Sequence, residues 1–360
     1  MLKKRILEDM SGKREISTLF IVLTPFHYKS FLSEYKDALK NENVLILKEK
    51  YIDERFWKDS NALILNLPDE KFSIYDLRGN FFNSIWKYRQ SVKRIKQHNL
   101  ELFDQVNFND SLRINIGSDR DVFTQVFLND IYKIFNQKEI TLAAFEEGIG
   151  FYDKKSFFEK IKAFIFPIAS LLFFGEKLHF NKPQGIDRRI NIVYCRFLEL
   201  IKKNGFSEYK KLEVRENTNK GRYNPESNKA LVFSFPSTSI DISEERKVEL
   251  VSRLYEKLDI DEFVIKLHPR EDKYRSELLK SDFNWTFLDG QHPLEELNYF
   301  DYKYIINFNS SIILDILSSE YPQKKIITLS LYEKLSIASL YNQTSCMTIN
   351  DLLNEDKIRL

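Results

Sequence analysis

Three short strings in this sequence carry residue types that could do chemistry: Glu146-Glu147-Gly148, His268-Pro269-Arg270 and Ser310-Ser311. Each stands where an apolar run of strand length stops. Two adjacent carboxylates at the mouth of a cleft repel each other, and partial burial raises the pKa of one or both. A carboxylate so placed can take the proton of an attacking hydroxyl, while Gly148 lets the backbone turn sharply and leaves room for a substrate. The same tripeptide also fits a solvated acidic turn. His268 can donate a hydrogen bond or a proton to a phosphate oxygen, and Pro269 holds it in an extended conformation that aims the ring away from the sheet. Lys266 and Arg270 would add positive potential there, although a surface turn reads the same way. Hydroxyls and free N–H groups at a helix start bind anions, which makes Ser310-Ser311 either a phosphate site or an ordinary cap. Ser237, in Phe235-Pro236-Ser237-Thr238, follows another strand-like run and can serve in the same way.

Other candidates read as structural. His292-Pro293 has no apolar run before it and opens a helix instead. Asp259-Ile260-Asp261 has the spacing of a metal-binding pair but precedes its strand, which turns it away from the strand ends where ligands gather. The sequence holds no glycine-rich phosphate loop and no cluster of cysteine with histidine, so no cofactor and no metal is expected. Cys195 and Cys346 are too few for a disulfide framework or a zinc site, and a reducing compartment is the simplest reading.

The elements that would position these strings alternate between strand and helix. A run at 18–23 reads as a strand buried on both faces, Thr24-Pro25-Phe26-His27 as a loop, and 28–39 as a helix. Strands follow at 43–47 and 62–65, then a helix at 81–98 with a basic face of Lys87, Arg89, Lys93, Arg94 and Lys96. A strand at 113–116, a helix capped by Asp119 or Asp121 and a strand at 139–145 complete the first region. The polar stretch 204–228, with Asn204-Gly205, Asn219-Lys220-Gly221 and Asn224-Pro225, reads as a linker between domains at 1–203 and 229–360. Beyond it the alternation restarts: strands at 230–235, 262–267, 285–288, 303–308 and 326–329, helices at 243–258, 273–279 and from 312. This pattern predicts an α/β protein of two doubly wound parallel sheets, in which ligands bind beyond the carboxyl ends of the strands.

At 360 residues the chain is too long for one ordinary core, which again points to two domains. Lys and Arg at 55 against Asp and Glu at 53 leave a net charge of +2, with no basic excess to hold nucleic acid. The apolar run 163–174 is too short to span a bilayer and contains Pro167; it reads as buried, with contact to a substrate or to membrane as the alternatives. The basic face at 87–96 is a solvated helix face or a dock for an anionic membrane surface. The basic Met1-Leu2-Lys3-Lys4-Arg5 is not followed by an apolar signal core, so the expected location is cytoplasmic, with peripheral contact at the inner face of the cytoplasmic membrane.

With acidic-acidic-Gly, His-Pro and Ser-Ser in that order and at those strand ends, the chain resembles the bacterial sialyltransferases. The likeness is closest to glycosyltransferase family 52, the lipooligosaccharide sialyltransferases, and to the related bacterial polysialyltransferases. An early strand ending in a Thr-Pro loop, here Thr24-Pro25-Phe26-His27, belongs to it, and it runs from the first strand to the helix after Ser311. The resemblance implies a GT-B fold, two Rossmann-like domains facing a central cleft, with the first on the acceptor side and the second binding the donor. It implies inverting transfer of sialic acid, or a related nonulosonic acid, from a CMP-sugar to a hydroxyl of a cell-surface glycan or glycolipid such as lipooligosaccharide or capsule. Carried over by position, Glu147 is the general base, His268 the acid on the leaving phosphate, and Ser310 and Ser311 hold that phosphate without a metal. Glu146, Gly148, Pro269, Ser237, Thr24 and His27 line the substrates. Pro293-Leu294-Glu295 matches a Pro-x-Glu that binds ribose hydroxyls, which gives Glu295 that role. His27 stands where family 52 commonly has Gln, so the substrate it meets is left open. Three alternatives remain: a transferase for another CMP-activated acid (pseudaminic, legionaminic or Kdo), a nucleotide-sugar 2-epimerase on the same scaffold, and a non-enzymatic scaffold of envelope assembly.

Overall fold

The computed structural model describes residues 13–50, 52, 57, 60–68, 81–135, 139–146, 151–152, 157–179, 185–201, 203, 205–212, 227–234, 243–267, 284–288, 297, 299–308, 325–328 and 346–348. The chain divides into two units, Met1–Arg215 and Glu216–Leu360.

The first unit is built on β1 (Arg14–Val22), β2 (Val44–Lys48), β3 (Leu63–Asn66), β4 (Val106–Ile116), β5 (Ile140–Phe145), β6 (Ile192–Cys195) and β7 (Glu208–Lys211). Its helices are α1 (Pro25–Tyr35), α2 (Phe81–Gln105), α3 (Val122–Ile134) and α4 (Phe157–Phe174). The strands lie in the order β3-β2-β1-β4-β5-β6-β7, and every pairing among the described residues is parallel. Every residue of β2 and the last four of β1 are buried, as continuous Leu, Ile and Val runs require of strands covered on both faces. Each such side chain stabilises by about 1.5–3 kcal/mol relative to exposure. On one face α1 packs Phe31 edge-on against Phe145 of β5 at 4.8 Å, and Phe145 stacks on Tyr194 of β6 at 4.5 Å.

The second unit holds β8 (Lys229–Phe233), α5 (Glu244–Leu258), β9 (Glu262–Lys266), β10 (Trp285–Leu288), β11 (Tyr304–Asn307), β12 (Lys325–Thr328) and β13 (Cys346–Thr348). Its parallel strands are ordered β10-β9-β8-β11-β12-β13. Ser243 caps α5 by accepting from the Arg246 N–H at 3.2 Å, and the helix lays Leu250, Val251, Leu254 and Leu258 on the sheet. It ends at Asp259, which takes the left-handed conformation at φ 47°. Asp259 and Asp261 therefore form the turn before β9, at the amino end of the strand.

In each sheet the chain winds outward from its first strand, then returns to that strand's other side. The reversal falls between β1 and β4 in the first sheet and between β8 and β11 in the second. A crevice forms outside the carboxyl ends at such a reversal, because the flanking connections leave in opposite directions.

Several expectations need correction. His27 is not in a loop: Thr24 caps α1 and Pro25 starts it, so His27 lies in the first helical turn. The helix expected at 81–98 continues to Gln105 and passes directly into an eleven-residue β4. The polar stretch 204–228 contains β7, whose Glu208 and Lys211 are exposed because the strand lies at the edge of the described sheet, where polar residues block further pairing. The apolar run 163–174 is not buried; it belongs to α4, most of whose large side chains face solvent. The helices expected at 273–279 and from 312 lie outside the described residues.

Candidate functional site

At the β1–β4 reversal, the chain leaves β1 through Leu23 and Thr24. Thr24 is extended (φ −143°, ψ 157°) and its Oγ1 accepts the His27 N–H at 3.3 Å, which fixes the start of α1. The Leu23 N–H donates to His27 Nδ1 at 3.1 Å, so Nδ1 is the acceptor and the imidazole is neutral with its proton on Nε2. Burial lowers the pKa of this histidine from 6.5 to about 3. The ring occupies space left by Gly117, the first residue past β4: a Cβ there would stand 2.2 Å from His27 Cγ and Nδ1. Gly117 is thus required by close approach.

Just beyond, Asp119 is fully buried and receives three backbone N–H groups: Gly185 on Oδ1 at 3.0 Å, and Ile186 and Asp187 on Oδ2, each at 3.1 Å. Desolvation, aided by the nearby Asp187 charge, raises its pKa from 3.8 to about 6 against the pull of those donors. Asp121, not Asp119, caps α3, accepting the Thr124 N–H at 2.8 Å. The carboxylate of Asp119 instead ties the loop at 185–187 to the carboxyl end of β4.

At the carboxyl end of β5, Glu146 is fully buried and its carboxylate is spoken for. Oε1 accepts from Arg196 Nε at 2.7 Å and lies 2.5 Å from its Nη2; Oε2 accepts the Arg196 N–H at 2.7 Å and the Tyr152 hydroxyl at 2.5 Å. Burial, with the Glu146 charge beside it, pushes the Tyr152 hydroxyl well above its usual range. Both side chains are buried and engaged within the first unit: Glu146 joins the ends of β5 and β6, and His27 fills the space between the end of β1 and Gly117. Thr24, half-buried, has its hydroxyl engaged as the cap.

The carboxyl edge of the second sheet changes character at the strand ends. The bodies of β8, β9 and β11 are apolar, yet Ser234, Lys266 and Asn307 are buried polar residues at the ends of these three adjacent strands. The ladder continues past them, with Ser234 N–H donating to Lys266 O at 3.1 Å and Phe308 N–H to Phe233 O at 3.2 Å. Glu147, Gly148, Ser237, His268, Pro269, Glu295, Ser310 and Ser311 lie outside the described residues. The strands that lead into Glu147, His268 and Ser310 are described: β5, β9 and β11. Among the described residues no group of three or more His, Cys, Asp or Glu could hold a metal ion.

No protein-family profile matches the sequence, and no curated protein does. Solved structures do. An alpha/beta-galactoside alpha-2,3-sialyltransferase from the luminous marine bacterium Photobacterium phosphoreum aligns over 95% of this chain and 100% of its own, with a TM-score of 0.53 at 13% identity. The kitacinnamycin glycotransferase aligns over 93% and 87%, with a TM-score of 0.53 at 10% identity. A Listeria monocytogenes protein assigned as a UDP-N-acetylglucosamine 2-epimerase aligns over 94% and 86%, with a TM-score of 0.51 at 11% identity. The fold is of the GT-B type. At these identities the likeness is one of fold, and it is shared by transferases and an epimerase alike.

Within this GT-B chain, sequence reading missed Gly117, Asp119 as a loop anchor, Arg196 and Tyr152. Arg196 had a signal: it follows the apolar run Ile192–Cys195 directly, the strand-end position from which the other candidates were drawn. Asp119 and Gly117 had none, since their partners are far away in sequence.

Proposed function

We propose that this chain is an inverting glycosyltransferase that moves sialic acid, or a related nonulosonic acid, from its CMP donor to a hydroxyl of a cell-surface glycan such as lipooligosaccharide or capsule. One observation carries the reading. The strands that lead into Glu147, His268 and Ser310 are the reversal strand β11 and the neighbours of reversal strands, β5 beside β4 and β9 beside β8, and they end on the edge where α/β sheets bind ligands.

In this mechanism Glu147 takes the proton of the acceptor hydroxyl as its oxygen bonds to the anomeric carbon from the face opposite the phosphate. The bond from that carbon to the phosphate breaks, and CMP departs as a phosphate monoester. His268 donates to the departing oxygen, while Ser310 and Ser311, with Ser237, hold the phosphate by hydroxyl and N–H donors. Glu295 takes the ribose hydroxyls. Gly148 and Pro269 shape the backbone on either side of the reacting groups. A tertiary anomeric centre passes through an oxocarbenium-like transition state, so orientation and leaving-group stabilisation outweigh nucleophile strength. Donors of this kind suffice without a divalent cation, and turnover is expected to survive chelation by EDTA. The first unit takes the acceptor and the second the donor, and the reaction is assigned to the cytoplasm, where CMP-sugars are the activated pool.

The fold likeness to an epimerase keeps one rival in view, an enzyme that acts on a UDP-sugar. A panel of CMP-sugars and UDP-sugars separates the two, read as donor hydrolysis or transfer and as protection against thermal unfolding. The proposal expects CMP and one CMP-activated acid (sialic, pseudaminic, legionaminic or Kdo) to raise the melting temperature and to support turnover. Protection by UDP alone, or no response to any nucleotide, would sink it.

A further inference from the structure

Among the described residues, eleven large hydrophobic side chains are exposed, and eight of them lie on α4. They are not scattered. Phe157, Ile161, Phe164, Ile168 and Leu172 recur at the spacing that puts residues on one helical face, and Ile165 lies beside them. Phe164 is 77% exposed, Leu172 76% and Ile168 58%. The opposite face is the one that holds α4 to the protein: Ser170 and Phe174 are buried, and Phe174 packs on Tyr88 of α2 with ring centroids 4.6 Å apart. An apolar stripe pointing outward reverses the usual polarity of a surface helix and marks an interaction surface.

The charges beside the stripe identify the occupant. Lys160 and Lys162 are exposed and stand one step to each side of Ile161, so at about 100° per residue they flank the stripe on both edges. Lys177 is exposed just past the helix, which stops at Gly175 with φ 73°. Two more lysines, Lys154 and Lys155, precede the helix in sequence. The helix that α4 leans on, α2, exposes Trp86, Lys87, Arg89, Lys93 and Arg94. No described helix is long and apolar enough to cross a membrane, and α4 itself carries Glu159, Lys160 and Lys162 within its first six residues. An apolar face with lysines at its edges, about 27 Å long and unable to span, is the pattern of a helix lying in the plane of a bilayer surface.

We infer that α4 docks this protein on an anionic membrane surface, its Phe164–Ile168 face entering the headgroup–acyl boundary and Lys160 and Lys162 meeting lipid phosphates. The inference rests on the exposed face and the lysines beside it, and holds whatever reaction the strand-end residues perform.

The test is co-sedimentation of the full chain with vesicles of phosphatidylcholine alone and of phosphatidylcholine mixed with phosphatidylglycerol. The wild type is expected to sediment with the mixed vesicles and to be released by salt. Phe164→Glu/Ile168→Glu is expected to lower the partition coefficient about 100-fold or more. Lys160→Gln/Lys162→Gln is expected to lower it about 10–30-fold on mixed vesicles while leaving the weaker binding to pure phosphatidylcholine unchanged. All four side chains are outside the core, and equal melting temperatures verify that each variant is folded. Wild-type protein that stays in the supernatant with both vesicle types overturns the inference, as do variants that bind like the wild type. Light scattering supplies the other arm: a wild-type dimer that Phe164→Glu/Ile168→Glu disperses, without vesicle binding, assigns the face to a second copy and also overturns it.

Discussion

Gly117→Ala is the substitution whose effect can be worked most directly from the geometry. Gly117 does not take a left-handed φ, so alanine meets no backbone penalty there, and the whole cost comes from space. The new Cβ would stand 2.2 Å from His27 Cγ and Nδ1 and 2.4 Å from Cδ2, more than an ångström inside ordinary contact. The ring cannot swing into solvent, because it is fully buried at the start of α1. Relief requires the helix start or the β4 end to move, which for an overpacked core costs about 1–3 kcal/mol. Moving the ring also breaks the bond from Leu23 N–H to Nδ1, worth about 0.5–1.5 kcal/mol. The expected loss is therefore about 2–4 kcal/mol, read as a fall in the urea midpoint of the transition followed by far-ultraviolet circular dichroism. A double-mutant cycle isolates the cause. In a His27→Ala background the obstructing ring is gone, and Gly117→Ala should then cost under about 0.5 kcal/mol, a coupling of about 1.5–4 kcal/mol. An equal cost in both backgrounds, or an unchanged midpoint for the single variant, refutes the packing argument.

Arg196→Ala leaves the buried Glu146 carboxylate without its guanidinium and should destabilise the protein by about 3–5 kcal/mol by urea titration, with loss of activity following the loosened ends of β5 and β6. Because the folded pKa of His27 lies near 3 against 6.5 unfolded, the unfolded state binds the extra proton between those values, and stability rises with pH across that window at up to about 1.4 kcal/mol per pH unit; His27→Gln should remove this rising component. Asp119 acts with the opposite sign. Its folded pKa near 6 exceeds 3.8, so the folded state binds the proton and stability falls as pH rises from about 4 to 6; Asp119→Asn should remove that falling component, and difference profiles against the wild type separate the two. Glu147→Gln should abolish transfer while leaving CMP binding intact by calorimetry, and near-normal turnover would remove the base assignment. His268→Ala should lower turnover by about 100-fold or more if it serves the leaving phosphate, and an unchanged rate would take it out of the mechanism.

What could be read from the chain before folding depended on how each element is covered. Strands buried on both faces show themselves as unbroken apolar runs, which is why those expected at 43–47 and 262–267 nearly coincide with β2 and β9. Edge strands lose that mark: Glu208-Tyr209-Lys210-Lys211 is polar because one side of β7 faces solvent, and it passed as linker. The stretch at 163–174 failed for the converse reason. An apolar run reports a wish for an apolar neighbour and says nothing of whether the neighbour belongs to the same chain, so α4 was read as core when its outer face is bare.

The candidate site divides along the same line. Strand ends are local features, and Glu146-Glu147, His268 and Ser310 could be picked out because each follows its run directly. Which ends become neighbours is set by strand order, with β1 beside β4 although two strands and a long helix intervene in the chain, and β8 beside β11. Local reading therefore picks out strand ends, and the structure adds that His27 and Glu146 are buried and bonded within the first unit. Some of what holds His27 and Glu146 is near in sequence, Leu23 for the one and Tyr152 for the other, but the rest is distant: Gly117 opens the space that His27 fills, and Arg196, just past β6, pairs with Glu146. That division has a mechanistic consequence for the pair Glu146-Glu147. Three hydrogen bonds and an ion pair hold the Glu146 carboxylate, and they anchor the carboxyl end of β5 directly before Glu147 in sequence. In the proposed reaction Glu146 acts by anchoring the strand end before Glu147, and Glu146→Gln should lower turnover while the pH dependence continues to report residue 147.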